Sequence, residues 1–106
     1  MFDLYHPSNS VEGREHDFKK WYVEQHIPDC LQIAGIEKGT LFSTAPEQYL
    51  LQQESKWTYM AVFELLTDNV GCILAELNSR LNTPEMPISS AFSFKNLHIQ
   101  VFEELL

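Results

Sequence analysis

Trp57-Thr58-Tyr59-Met60-Ala61-Val62-Phe63-Glu64-Leu65-Leu66 alternates as a strand does, with Trp57, Tyr59, Ala61, Phe63 and Leu65 on one side and Thr58, Met60, Val62 and Glu64 on the other. Both sides are largely apolar, so both must be covered. Helices can cover one side of a small sheet. The other side then calls for a second layer, and the simplest one is another copy of the same chain.

Downstream of this strand, Thr67-Asp68-Asn69 is a turn and a helix cap. Beyond it Val70, Ile73, Leu74, Leu77 and Leu81 recur at the spacing of one buried helical stripe. Asn82 to Lys95 contains Pro84 and Pro87 but also Met86, Ile88, Phe92 and Phe94, too apolar for a free linker, so it is expected to lie against the body of the protein, over a pocket mouth. Asn96 to Leu105 reads as a fourth strand, with Leu97, Ile99 and Val101 alternating against His98, Gln100 and Phe102.

Upstream, Ala45 to Lys56 is a polar connection, and Ile36 to Thr44 is a strand that follows Gly35. Gly35 is the expected stop of a first helix running from about Val11 to Ile33, which Pro28 splits into a main helix and a last turn. Met1 to His6 is a short strand ended by Pro7, and Ser8-Asn9-Ser10 is a turn that offers the helix an N-cap. The order is βαββαβ. It specifies an α+β, ferredoxin-like fold: a four-stranded antiparallel sheet with two helices on one face, residues 1–106 forming one domain and the open sheet face pairing two chains.

Composition narrows the function classes. Hydrophobic residues make up 44% of the 106 and aromatics 12%, enough for one core. No apolar run reaches the roughly 20 residues of a membrane helix, and the opening Met-Phe-Asp-Leu-Tyr-His is unlike a secretion signal, so a cytoplasmic protein with no membrane partner is expected. Fifteen acidic against seven basic residues give a net charge of −8, which repels phosphate backbones and argues against nucleic acid. Cys30 and Cys72 are far apart and unpatterned, each in a helical stretch, and read as buried thiols.

Chemistry concentrates in the first helix. At about 100° per residue, Phe18, Tyr22, His26 and Cys30 share one inward face with Val23 beside them. A neutral imidazole there can take or return a proton, since its ordinary pKa of about 6.5 lies near working pH. His26 is thus the candidate acid or base and Tyr22 its polar helper, with Trp21, Phe18 and Tyr59 as pocket walls. His98 is a further candidate for the same cleft, paired with His26. The competing interpretation keeps His26 as a core residue bonded to a backbone carbonyl freed near Pro28. Glu64 can supply a carboxylate, though a place at the dimer contact suits it better. His16 and His6, at element ends, have no ligand spacing, and no metal or other cofactor is expected. No phosphate loop, Ser-His-Asp order or Cys-X-X-Cys is present.

Val11-Glu12-Gly13-Arg14-Glu15-His16-Asp17-Phe18, Trp21-Tyr22, His26-Ile27-Pro28-Asp29, Ala34-Gly35 and Tyr59-Met60-Ala61-Val62-Phe63-Glu64 resemble the EthD-like group of dimeric α+β barrel proteins. The resemblance runs to about Leu81. It implies a small dimer of ferredoxin-like subunits with a pocket between helices and sheet. Its superfamily includes cofactor-free monooxygenases, lactone isomerases and haem peroxidases, a 106-residue subunit being small for haem. The expected function is therefore binding of a small organic molecule, aromatic or polyketide-like, with His26 doing acid–base work in a cofactor-free oxidoreductase or isomerase. The alternative is a non-catalytic ligand-binding or structural homodimer. A cavity of roughly 300 Å³ beside His26 is the discriminating observation.

Overall fold

The computed structural model describes residues 1–50 and 54–105. The part of the polar connection at 51–53 lies outside the described residues. Five strands are ordered as β1 (Phe2–Ser10), β2 (Ile36–Ser43), β3 (Tyr59–Leu65), β4 (Phe92–Ser93) and β5 (Gln100–Glu103). The first helical unit comprises α1 (Glu15–Trp21), a π-helical turn (Tyr22–His26) and α2 (Ile27–Cys30), and the second is α3 (Val70–Arg80). The sheet runs β2-β3-β1-β4, with β5 also pairing β1, and every ladder is antiparallel. This is the ferredoxin-like layout that the βαββαβ order specifies. Among the described residues no helix is long and apolar enough to cross a membrane.

The middle ladder fixes which side chains meet the helices. Leu4 faces Phe63 and His6 faces Ala61, and all four are buried. Their neighbours Tyr5, Met60 and Val62 alternate onto the opposite face, half-exposed. Gly39 sits on the covered face opposite Phe63, where a Cβ would lie 2.7 Å from Phe63 Cε1 and 2.9 Å from Ile27 Cγ2. The first helical unit approaches β2 closely because nothing projects there.

Several local expectations are overridden by the sheet. β1 does not end at Pro7 but continues to Ser10, with Pro7 opposite Met60. On its other edge β5 pairs Phe2–Tyr5 and β4 pairs Asn9–Ser10, so a residue without an N–H falls in the interval between these two ladders. Ser8-Asn9-Ser10 is therefore strand rather than turn and cap. Asn9 is pinned there, its amide donating to the Lys56 carbonyl at 2.7 Å and accepting from Thr58 N at 2.8 Å. The turn comes later, through Gly13 at φ +81°, and α1 starts at Glu15 with no side-chain cap.

The first helical unit also ends early, at Cys30 rather than Ile33, and Gly35 at φ +99° then turns the chain into β2. Val23 is exposed, off the buried face. The fourth strand, expected over Asn96–Leu105, is confined to β5 at Gln100–Glu103, and β4 is a further strand within the 82–95 segment; both pair with β1. Cys72 is exposed, unlike buried Cys30. The Val70–Leu81 stripe is only partly buried: Ile73 packs into the core, whereas Leu74 and Leu81 are more than a third exposed. Asn69 caps α3 as its side chain accepts from Cys72 N at 3.3 Å. Residues 82–95 do lie against the body, with Met86, Ala91 and Phe92 buried.

Candidate functional site

The π-helical turn places the central residues. Ile27 N–H bonds to the Tyr22 carbonyl five residues back, so this turn holds one residue more than an α-turn. In an α-helix, side chains four residues apart drift steadily around the axis, and the widened turn counters that drift. Tyr22 and His26 consequently both face inward and both are buried. Pro28, which has no N–H to give, sits in the first turn of α2, where the resumed helix does not need one. The helix changes pitch before the proline instead of breaking at it.

A cavity of about 450 Å³ opens between α3, the end of the first helical unit and the sheet. Leu4 and His6 of β1, Ile36 of β2, and Phe63 and Leu65 of β3 form its floor. His26 and Cys30 line one wall, and Leu74, Ala75, Leu77, Asn78 and Leu81 of α3 the other, with Ile99 also lining it. The partly unburied side of the α3 stripe is thus cavity wall. The lining carries no Lys, Arg, Asp or Glu, and its polar groups are two imidazoles, a thiol and an amide.

Phe18, Trp21 and Tyr59, expected as pocket walls, do not line this cavity. With Tyr22 and Phe92 they form an aromatic block behind it: Phe18 packs on Tyr59 at 4.7 Å between centroids, on Tyr22 at 5.4 Å and on Phe92 at 6.3 Å. The block holds both imidazoles, His26 against Trp21 at 4.8 Å and His6 against Phe92 at 5.7 Å. Tyr22 adjoins His26 edge-on at 5.0 Å, but its hydroxyl bonds His6 Nδ1 at 3.1 Å. His98 is exposed, beside the Trp57 ring and 3.2 Å from Gln100 Oε1, and is not part of the cavity lining. Glu64 is half-buried on the open sheet face, opposite Lys38. His16 is exposed.

Burial sets the charge state of the site. Loss of water pushes His26 down to about 4 against a smaller upward pull from Asp29, so the ring is neutral at neutral pH. His6 is also lowered to about 4, first by burial and then by repulsion from His26 and His98. Burial raises the Tyr22 phenol far above its ordinary range and, together with Asp29, lifts the Cys30 thiol to about 12. Cys30 Sγ lies 3.7 Å from His26 Nε2. His26 Nδ1 and His6 Nε2 are buried with no hydrogen-bond partner among the described residues, which is costly for polar atoms inside a protein. No group of three or more His, Cys, Asp or Glu side chains able to hold a metal occurs among the described residues.

His6 and Asn78 are site residues that the sequence reading missed. Ending β1 at Pro7 made His6 a strand terminus, although its parity with Leu4 already placed it on the covered face. Asn78 lies four residues after Leu74 and was hidden among the polar residues of α3.

The architecture defines a ferredoxin-like α+β protein with an apolar cavity between its helices and sheet. Its fold is that of an EthD family protein from Bacillus halodurans C-125, with a TM-score of 0.58 over 99% of both chains at 17% identity. HapK from Hahella chejuensis is also similar, with a TM-score of 0.60 over 99% of this chain and 93% of that one at 10% identity. At such identities the likeness is one of fold. No protein-family model matches the chain, and no curated protein matches it in sequence.

Proposed function

We propose that this chain binds a compact, mostly apolar organic molecule in the cavity beside His26, and that His26 moves a proton to or from it without a cofactor. The observation that carries this reading is an apolar space of about 450 Å³ lined by two neutral imidazoles, His26 and His6, each with a buried ring nitrogen that has no partner among the described residues. The volume falls within the range of small-molecule sites. His26 is neutral at neutral pH and can accept a proton, but burial that holds it at about 4 makes it a weak base. The reaction class that fits is therefore isomerisation or cofactor-free oxygenation of a molecule whose carbon or phenol hydrogen is already acidic. The EthD-like fold is consistent with such a role.

The chain acts as a homodimer through its open sheet face. That face carries Tyr5, Phe42, Met60, Val62 and Phe102, with Phe42 and Phe102 about half exposed, and burying roughly 1,200 Å² or more there makes a stable contact. Replacing Val62 and Phe42 together by Glu is expected to yield monomers in sedimentation.

Native mass spectrometry of the purified protein tests the ligand reading. A retained organic mass that disappears in His26→Gln, while the melting temperature stays within a few degrees, supports it. Protein without any retained mass, and with no small molecule from a metabolite library raising its melting temperature, overturns it.

A further inference from the structure

Helix α3 walls the cavity while packing on little else. Ile73 is its one buried residue, with Cδ1 seated on the bare backbone of Gly35, where a Cβ would lie 2.6 Å away. Val70 and Leu77 reach the core only half-buried, and the cavity-lining Leu74, Ala75, Asn78 and Leu81 are exposed. The polar contacts of its side chains are local: Ser79 and Arg80 bond Glu76, and Arg80 reaches Glu85. Among the described residues no side chain of α3 makes a hydrogen bond or ion pair with the sheet or the first helical unit. Just past its end the chain is fastened again, where Asn82 N–H donates to the carbonyl of buried Met86 at 2.9 Å. The helix is a strap held at its two ends with the cavity beneath its middle.

We propose that α3 is the gate of this cavity: it lifts from the sheet as Ile73 leaves Gly35, and so admits a ligand to the wall formed by His26 and Cys30. The inference rests on the cavity being the ligand site and concerns how that site is reached. Hydrophobic attraction scales with the apolar area removed from water, and α3 removes little, so its release costs less than that of any element in the core. The facing wall is different. The first helical unit buries Phe18, Tyr22, His26, Ile27 and Cys30 and stays in place. A bound apolar molecule then supplies the packing that α3 lacks, between Leu74, Leu77 and Leu81 on one side and Leu4, Phe63 and Leu65 on the other, and holds the gate shut.

Cys30 reports the opening, because it lines the wall opposite α3 and is only 2% exposed. Cys72→Ser leaves it as the single thiol. Iodoacetamide and a bulkier aromatic maleimide, each normalised to its rate with free cysteine, are expected to return the same opening constant for Cys30, since both wait for the helix. Hydrogen exchange identifies the part that moves. An 11-residue helix off its sheet is marginal in water, so α3 amides should exchange with that same opening constant and a shallow urea dependence. Amides of β1, β3 and the first helical unit should open at least about a hundredfold less often. Ala75→Leu, which adds hydrocarbon within the cavity, should slow Cys30 labelling about tenfold. The gate is overturned if the bulky reagent lags far behind the small one, as at a fixed gap, or if Cys30 waits for global unfolding. It is equally overturned if the first helical unit opens in place of α3, or if Ala75→Leu leaves the labelling rate unchanged. Every readout is taken without a ligand, so the gate can fail while a retained organic mass upholds the ligand reading, and the reverse.

Discussion

The indole of Trp21 stacks on the imidazole of His26, with centroids 4.8 Å apart and planes at 28°, while its Nε1–H donates to the Pro87 carbonyl at 3.1 Å. One side chain thus fixes the orientation of a cavity imidazole and ties the first helical unit to the 82–95 segment. Trp21→Phe keeps a ring over His26 and loses the hydrogen bond, so it should cost about 1 kcal/mol. Trp21→Leu loses the stack as well and should cost about 1 kcal/mol more. Urea denaturation reads both, and equal losses would show that the ring stack contributes nothing.

What the sequence revealed and what it hid divide along one physical line. Phe18, Tyr22, His26 and Cys30 are all buried, as their four-residue spacing requires, because that spacing tracks one helix face in either an α- or a π-turn. The strands β2 and β3 were legible from alternation, and the cap at Asn69 from its residue type. The errors lie where non-local pairing overrules local preference. Pro7 and Ser8-Asn9-Ser10 look like a strand end and turn, yet lie within a strand because β3 and β4 pair with them. Leu74, Leu77 and Leu81 read as core from periodicity, which cannot tell packed interior from cavity wall. The same limit explains why the aromatic residues were placed at the pocket and His6 was not.

Gly39 is where the first helical unit and β2 come closest. In Gly39→Ala the new methyl would meet the Phe63 ring at 2.7 Å and Ile27 Cγ2 at 2.9 Å, both within the core, and neither is the free end of a flexible chain. Overpacking of this kind costs about 1–3 kcal/mol. Phe63 also lines the cavity, so the ring displaced by the methyl should change the cavity volume. The melting temperature should fall, and retention of the native ligand mass should change in the same variant. Gly39→Ala with wild-type stability would show that the backbone there yields easily.

The two cysteines should behave as different chemical species. Cys72 is exposed, whereas Cys30 is buried and its thiol is pushed up to about 12, so its reactive thiolate is scarce at neutral pH. A chromogenic disulfide reagent is expected to titrate one thiol promptly in the native protein and the second only at the rate of opening or unfolding. Cys72→Ser should remove the prompt phase and leave the slow one. Two prompt thiols would mean that the cavity admits the reagent as far as Cys30.

Acid should unfold this protein through its two buried imidazoles. The folded pKa of each is about 4, against about 6.5 in an unfolded chain, so between these values the unfolded state binds more protons. Their contribution to stability is therefore complete above pH 6.5 and is lost as the pH falls toward 4, amounting to about 2 kcal/mol for each ring at pH 5. Urea midpoints at pH 7, 6 and 5 should fall along that curve. His26→Gln and His6→Gln, whose amides do not titrate, should each flatten it by roughly half, and the double variant should leave only the slope due to carboxylates. A midpoint unchanged between pH 7 and 5 in the native chain would mean that both rings reach water in the folded state, and the buried, neutral state assigned to them would fall with it.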